Sequence, residues 1–176
     1  MRPADLTPVS RDALRAPSGA LLIILSFVAA LLFNSLPWSG WALALRPDLV
    51  LIALLFWSLH APGRVGQGLA FALGLAMDVS DSMLLGQHAL GYVAATFGAQ
   101  VLRVRVLAFG ALEQTLHVLG LAAVATLAAA IAAGLAGGGF PGWLPLLAPL
   151  TTAACWAPLS AVLLSPRLRR RRAAIP

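Results

Sequence analysis

A chain of 176 residues that is 60% hydrophobic and 10% charged, with a mean hydropathy of +0.90, is too apolar to be a water-soluble domain. Its single cysteine, Cys155, excludes a disulfide scaffold and a cysteine-built zinc module. The net charge of +6 comes from twelve basic residues, all arginine, lying between apolar runs rather than on a soluble face, which argues against a nucleic-acid ligand.

A membrane helix needs about 20 apolar residues, so six would use roughly 120 positions and leave only short loops and two tails. An all-α integral membrane protein with a six-helix domain over 20–165 is therefore expected, with a polar N-terminal tail over 1–19 and a basic C-terminal tail over 166–176. The first span covers about 20–36 and is closed by Pro37-Trp38. The second, about 47–61, opens at Arg46-Pro47-Asp48 and closes at His60-Ala61-Pro62-Gly63-Arg64; the third runs over about 65–80. These two are short, but a re-entrant hairpin would bury Arg64 at its tip at a cost of at least about 2.5 kcal/mol, so full spans are the better reading. The fourth, about 83–102, ends at Arg103-Val104-Arg105, and the fifth, about 106–135, ends at Gly137-Gly138-Gly139. The sixth, about 143–165, carries Pro145, Pro149 and Pro158 and is expected to be kinked, with Thr151, Thr152 or neighbouring helices satisfying the freed carbonyls.

With the N-terminus in the cytoplasm, six spans put eleven of the twelve arginines inside and only Arg46 outside. Positive charge resists translocation, so this asymmetry places both termini in the cytoplasm. Trp38, Trp41 and Trp143 fall at the outer ends of their spans, where an indole keeps its ring in the acyl boundary and its N–H among headgroups. Ala42-Leu43-Ala44 has the form of a signal-peptidase site, but the long, mixed-sign tail before the first apolar run argues for a retained first span.

No nucleotide-binding, hydrolase or metalloprotease motif occurs, and His60, His88 and His117 lack metal-site spacing, so no catalytic, cofactor or metal site is predicted. Glu113 and His117 lie four apart on one face of the fifth span. They read either as a proton relay or as a structural polar pair with Gln114 and Thr115. Asp78 lies at the depth of Arg46, Asp48 and Asp81, where an Arg46–Asp78 or Arg46–Asp48 ion pair is expected; the same cluster would suit a solute headgroup. Small residues four apart at Ala70/Gly74, Gly91/Ala95 and Ala94/Gly98 predict close helix packing. The tail Arg167-Leu168-Arg169-Arg170-Arg171-Arg172 suits a topology anchor and contact with anionic lipid.

Taken together, Arg46-Pro47-Asp48-Leu49-Val50, Phe56-Trp57, Pro62-Gly63-Arg64-Val65, Gly68, Gly74, Asp78 and Leu85-Gly86 resemble, in order and spacing, the rod shape-determining MreD family. The likeness is strongest over roughly 20–100. The chain departs from the family at Val79 to Leu84, where the family commonly carries a Ser-Gly pair. The resemblance implies a non-enzymatic inner-membrane subunit of the bacterial cell-elongation complex, with a fold similar to the six-helix substrate-binding subunits of vitamin transporters. It implies MreC as the main partner, with RodA, the class B transpeptidase and MreB nearby, and Arg46, Pro47, Asp48, Trp57, Arg64, Gly74, Asp78 and Gly86 as the motif positions. A substrate-binding subunit of a small-solute transporter is the alternative.

Overall fold

The computed structural model describes residues 19–137 and 143–173, and among them every regular element is helical. In chain order these are α1 (Ala20–Asn34), α2 (Gly40–Ala44), α3 (Leu49–His60), α4 (Gln67–Ser80), α5 (Gln87–Val101), α6 (Arg103–Ala108), α7 (Ala111–Leu135), a 3-10 turn (Leu144–Leu147), α8 (Ala148–Ala154) and α9 (Trp156–Ala173). Three segments are long and apolar enough to cross a membrane: Gly40–His60, Ala111–Leu135 and Ala148–Ser165. Ala20–Asn34 and Gln67–Ser80 are shorter apolar helices. The N-terminal tail and the arginine side chains of the C-terminal tail, with their expected lipid contact, lie outside the described residues.

The axis of the bundle is α3. Every residue from Val50 to Leu59 is buried, as expected of a helix that is apolar on all sides. It starts where it does because Pro47 disfavours helical geometry at Arg46, and because the Asp48 carboxylate accepts the Leu51 N–H at 3.0 Å, an N-cap. Around it pack α1 and α5, with α7 and α8 completing the circle. Trp57 is buried and donates its indole N–H to Ser26 Oγ at 2.8 Å, tying the far end of α3 to α1. Phe56 packs edge-on against Trp57 and stacks on His60.

The layer α4–α5–α7 is held by close backbone approach. A Cβ at Gly74 would collide with the Ala89 backbone of α5, and one at Gly91 would lie 2.5 Å from the Ala125 carbonyl oxygen of α7. Ala70, Ala95 and Ala99 are buried in the same layer. The small residues thus serve internal packing, where dispersion contacts replace the hydrophobic effect that a lipid solvent does not supply.

Prolines set the last segment. Pro149 sits in the first turn of α8, where its missing N–H is harmless, and Pro158 cannot donate to the Ala154 carbonyl, which is where the helix breaks at Cys155. Thr151 Oγ donates to the Ala148 carbonyl at 2.9 Å, whereas Thr152 turns its hydroxyl to Asp48. The apolar stretch ends at Ser165, but the helix runs on through Pro166 to Ala173.

Because consecutive helices alternate in direction, the ends of α1, α3, α4, α5 and α8 meet at two poles. One gathers Asn34, Arg46, Asp48, Asp78, Asp81, His88 and Thr152. The other gathers Arg64, Gln67, Gln100 and Arg103, where Arg103 Nε caps the C-terminus of α3 by donating to the Leu59 carbonyl at 2.6 Å. These are called the acidic and the arginine pole below.

Two glycine substitutions separate close approach from helix propensity. Gly74→Ala should destabilise the folded protein by about 1–3 kcal/mol through overpacking against Ala89. Gly120→Ala, in the interior of α7 with open space around it, should be neutral or stabilise by about 0.5–1 kcal/mol. Unfolding of the two variants in detergent micelles measures both.

Candidate functional site

The residues singled out by sequence converge mainly on the acidic pole. Asp48 is its first centre. One carboxylate oxygen caps α3 and accepts from Asn34 Nδ2 at 2.9 Å, and the other accepts from the Tyr92 hydroxyl at 2.6 Å. The Asp48 N–H donates to Thr152 Oγ1 at 2.9 Å, and the Leu49 N–H donates to Asn34 Oδ1 at 3.3 Å. One residue therefore ties α1, α3, α5 and α8 together.

Asp78 is the second centre and is fully buried at the end of α4. Its carboxylate accepts the Gly86 N–H at 2.7 Å, the His88 N–H at 2.8 Å and His88 Nδ1 at 2.9 Å. These are the orphan donors at the start of α5, so a carboxylate from one helix serves as the N-terminal cap of the next and complements its dipole. Gly86 makes this possible by taking φ +105°, a left-handed conformation that side chains other than glycine rarely adopt.

The expected partners of Arg46, Asp78 or Asp48, are not the ones it takes. Its guanidinium meets Asp81 fork to fork, Nη1 to Oδ1 at 3.0 Å and Nη2 to Oδ2 at 2.5 Å, while Nη1 also donates to the Asn34 carbonyl at 2.9 Å. The reason is that Asp48 and Asp78 are committed to helix N-termini, which leaves the acid capping α4 to face the cation. His88 Nε2 lies 3.8 Å from Asp81, so Asp78, His88, Asp81 and Arg46 form a continuous row of polar side chains along the pole. In the turn between Asp78 and Gly86, Ser82 takes φ +53°, a left-handed conformation, without being a glycine.

The remaining motif residues serve other places. Trp57 is locked in the core, Gly74 sits at the α4–α5 contact, and Arg64 is exposed at the arginine pole. Glu113 falls in the first turn of α7 and is exposed, since Phe109-Gly110 separates α6 from α7. There its carboxylate complements the helix N-terminus. His117 Nδ1 addresses the Glu113 backbone carbonyl at 2.7 Å rather than its carboxylate, Gln114 donates to Phe109 and Thr115 to Ala111. The two residues thus meet through the backbone, at a helix end.

Two members of the acidic pole, Asn34 and Tyr92, carry no expectation from the sequence, while His88 enters it only as a rejected metal ligand and Thr152 only as a partner for a freed carbonyl. Asn34 carried a readable signal as an amide near the end of an apolar run. Tyr92 carried a weaker one as the sole tyrosine in an alanine- and glycine-rich span.

The geometry fixes the outcome of substitutions. A double-mutant cycle between Arg46→Gln and Asp81→Asn should give a coupling of about 1–3 kcal/mol, against less for Arg46 with Asp78. Asp78→Ala should cost about 1–3 kcal/mol for each of the two backbone amides it orphans. Ser82→Gly should stabilise by about 1 kcal/mol through relief of the left-handed backbone. Chemical unfolding in micelles checks all three.

A family model for the rod shape-determining protein MreD matches residues 17–135, a stretch that holds all the motif positions from Arg46 to Gly86. The rod shape-determining protein MreD of Haemophilus influenzae is 37% identical over 68 residues, which is 39% of this chain and 42% of that protein. The matched stretch thus spans less than half the length of that relative. No solved structure matches the chain. With a family model covering well over half of its residues, an all-helical bundle and three segments able to cross a membrane, the chain belongs to the MreD family of rod shape-determining membrane proteins.

Proposed function

We propose that this protein is a multi-pass subunit of the bacterial inner membrane that binds MreC and helps couple cytoplasmic MreB filaments to peptidoglycan synthesis outside, near RodA and the class B transpeptidase. The family match over 17–135 is the observation that carries this reading. Six spans, from α1, α2–α3, α4, α5, α7 and α8–α9, run with both termini in the cytoplasm. The charge asymmetry supports this orientation: Arg64 and Arg103 belong to one pole and Arg46 to the other, so the arginine pole is cytoplasmic and the acidic pole faces out. The exposed indoles of Trp41 and Trp143 suit the outer headgroup layer.

MreC docks, in this reading, on the outer half of the bundle over the second to fourth spans. The motif acids there act by holding shape. Asp48 and Asp78 are saturated with intramolecular donors, so they set the positions of α3, α4 and α5 while neighbouring exposed side chains make the contact. Met83, Leu84 and Leu85, in the turn that Asp78 anchors, are each about half-exposed or more and form the contact edge. The commitment of both acids also argues against a solute headgroup bound at Asp78.

The test combines topology with partner capture. A single cysteine at position 84 should react with an impermeant maleimide in spheroplasts, and one at position 64 only after permeabilisation; the reverse pattern would overturn the orientation. A photo-crosslinker at Leu85 should capture MreC in cells, with capture at least tenfold lower from Leu116 on the exposed face of α7. A stoichiometric small molecule with an ATPase-bearing partner and no MreC would instead identify a transport subunit.

A further inference from the structure

Between α1 and α4 the bundle is open. α1 leans chiefly on α3, and the gap to α4 forms a groove of about 400 Å³ walled by Ile24, Phe27 and Leu31 on one side and Leu69 and Leu73 on the other. Its lining holds one charged residue, Arg64, from the α3–α4 loop. From Ala20 to Leu31 the α1 wall is about 17 Å long, at 1.5 Å per residue, close to the roughly 15 Å depth of one leaflet's hydrocarbon. An apolar channel one leaflet deep with a guanidinium at its mouth has the dimensions and charge of a phospholipid: an acyl chain along the helices and an anionic headgroup at the cation.

We infer that the α1–α4 groove is a binding site for one anionic phospholipid, its chain between Phe27 and Leu73 and its phosphate on Arg64. The walls favour this occupant over a partner helix. Close helix pairing in membranes uses small residues, and those of this layer, Gly74 and Gly91, face α5 and α7; the groove presents bulky branched and aromatic side chains, which suit a flexible chain. The volume lies within the range of lipid- and ligand-sized pockets. The assignment to the cytoplasmic leaflet rests on the topology proposed above; the site itself rests on the groove and Arg64.

Native mass spectrometry of the full chain in mild detergent, titrated with phosphatidylglycerol and phosphatidylcholine of identical acyl chains, tests the inference. One phosphatidylglycerol should be retained with a preference of about fivefold, the factor expected from one arginine beside an anionic headgroup. Arg64→Gln should remove the preference, Arg64→Lys should keep most of it, and Leu73→Trp, which fills the groove, should lower retention of both lipids. Equal preference in wild type and Arg64→Gln would overturn the site, as would undiminished retention in Leu73→Trp. Should Arg64→Gln not fold, the wild-type preference and Leu73→Trp still decide. A photo-crosslinker at Ile24 in cells should yield a phospholipid adduct; a protein adduct would reassign the groove to a partner helix. None of these readouts depends on orientation, so a failure here and a failure of the proposed topology are distinguishable.

Discussion

The fold depends on two carboxylates at helix ends, Asp48 half-buried and Asp78 fully buried. Asp48 and Asp78 each receive backbone N–H groups that open a helix, and each draws in side chains from other elements: Asn34, Tyr92 and Thr152 around Asp48, His88 around Asp78. In an apolar solvent an unsatisfied N–H is far costlier than in water, and few other devices can start a helix beside another without a long polar loop. The short turn from Asp78 to Gly86 and the short approach Arg46-Pro47-Asp48 follow from this.

A consequence is that the charges of the acidic pole are engaged within the bundle. Arg46 and Asp81 neutralise each other fork to fork, and His88 links that pair to Asp78. What the acidic pole offers outward is shape and apolar edge, with the charges acting as internal fasteners. The acid-rich motif positions are thus used, in this structure, to hold helix ends together.

Much of the architecture was legible in the residues because the solvent restricts the choices. Apolar runs, the Arg46-Pro47-Asp48 helix start, the Gly74 contact and the proline-broken last segment all follow from rules that need no knowledge of neighbours. What was illegible depended on which acid faces which donor. Arg46 was expected on Asp78 or Asp48 because depth alone ranks the three acids equally; only the three-dimensional commitment of those two to helix N-termini leaves Asp81. Asn34 and Tyr92 passed as ordinary residues of apolar runs because their partner is 14 and 44 positions away. The sequence places Glu113 inside a span because the break at Phe109-Gly110, which moves it to a helix start, carries no proline.

Asp48 holds the start of α3, the helix it opens, and Asp78, at the end of α4, holds the start of α5. Hydrogen–deuterium exchange by mass spectrometry, comparing the wild type with Asp78→Asn in the same detergent, tests this most directly. Faster exchange should be confined to the amides of Gly86 to Leu90 at the start of α5, with the start of α3 and the interior of α7 unchanged. Unchanged exchange at the start of α5, or a uniform rise across all the helices, would contradict it.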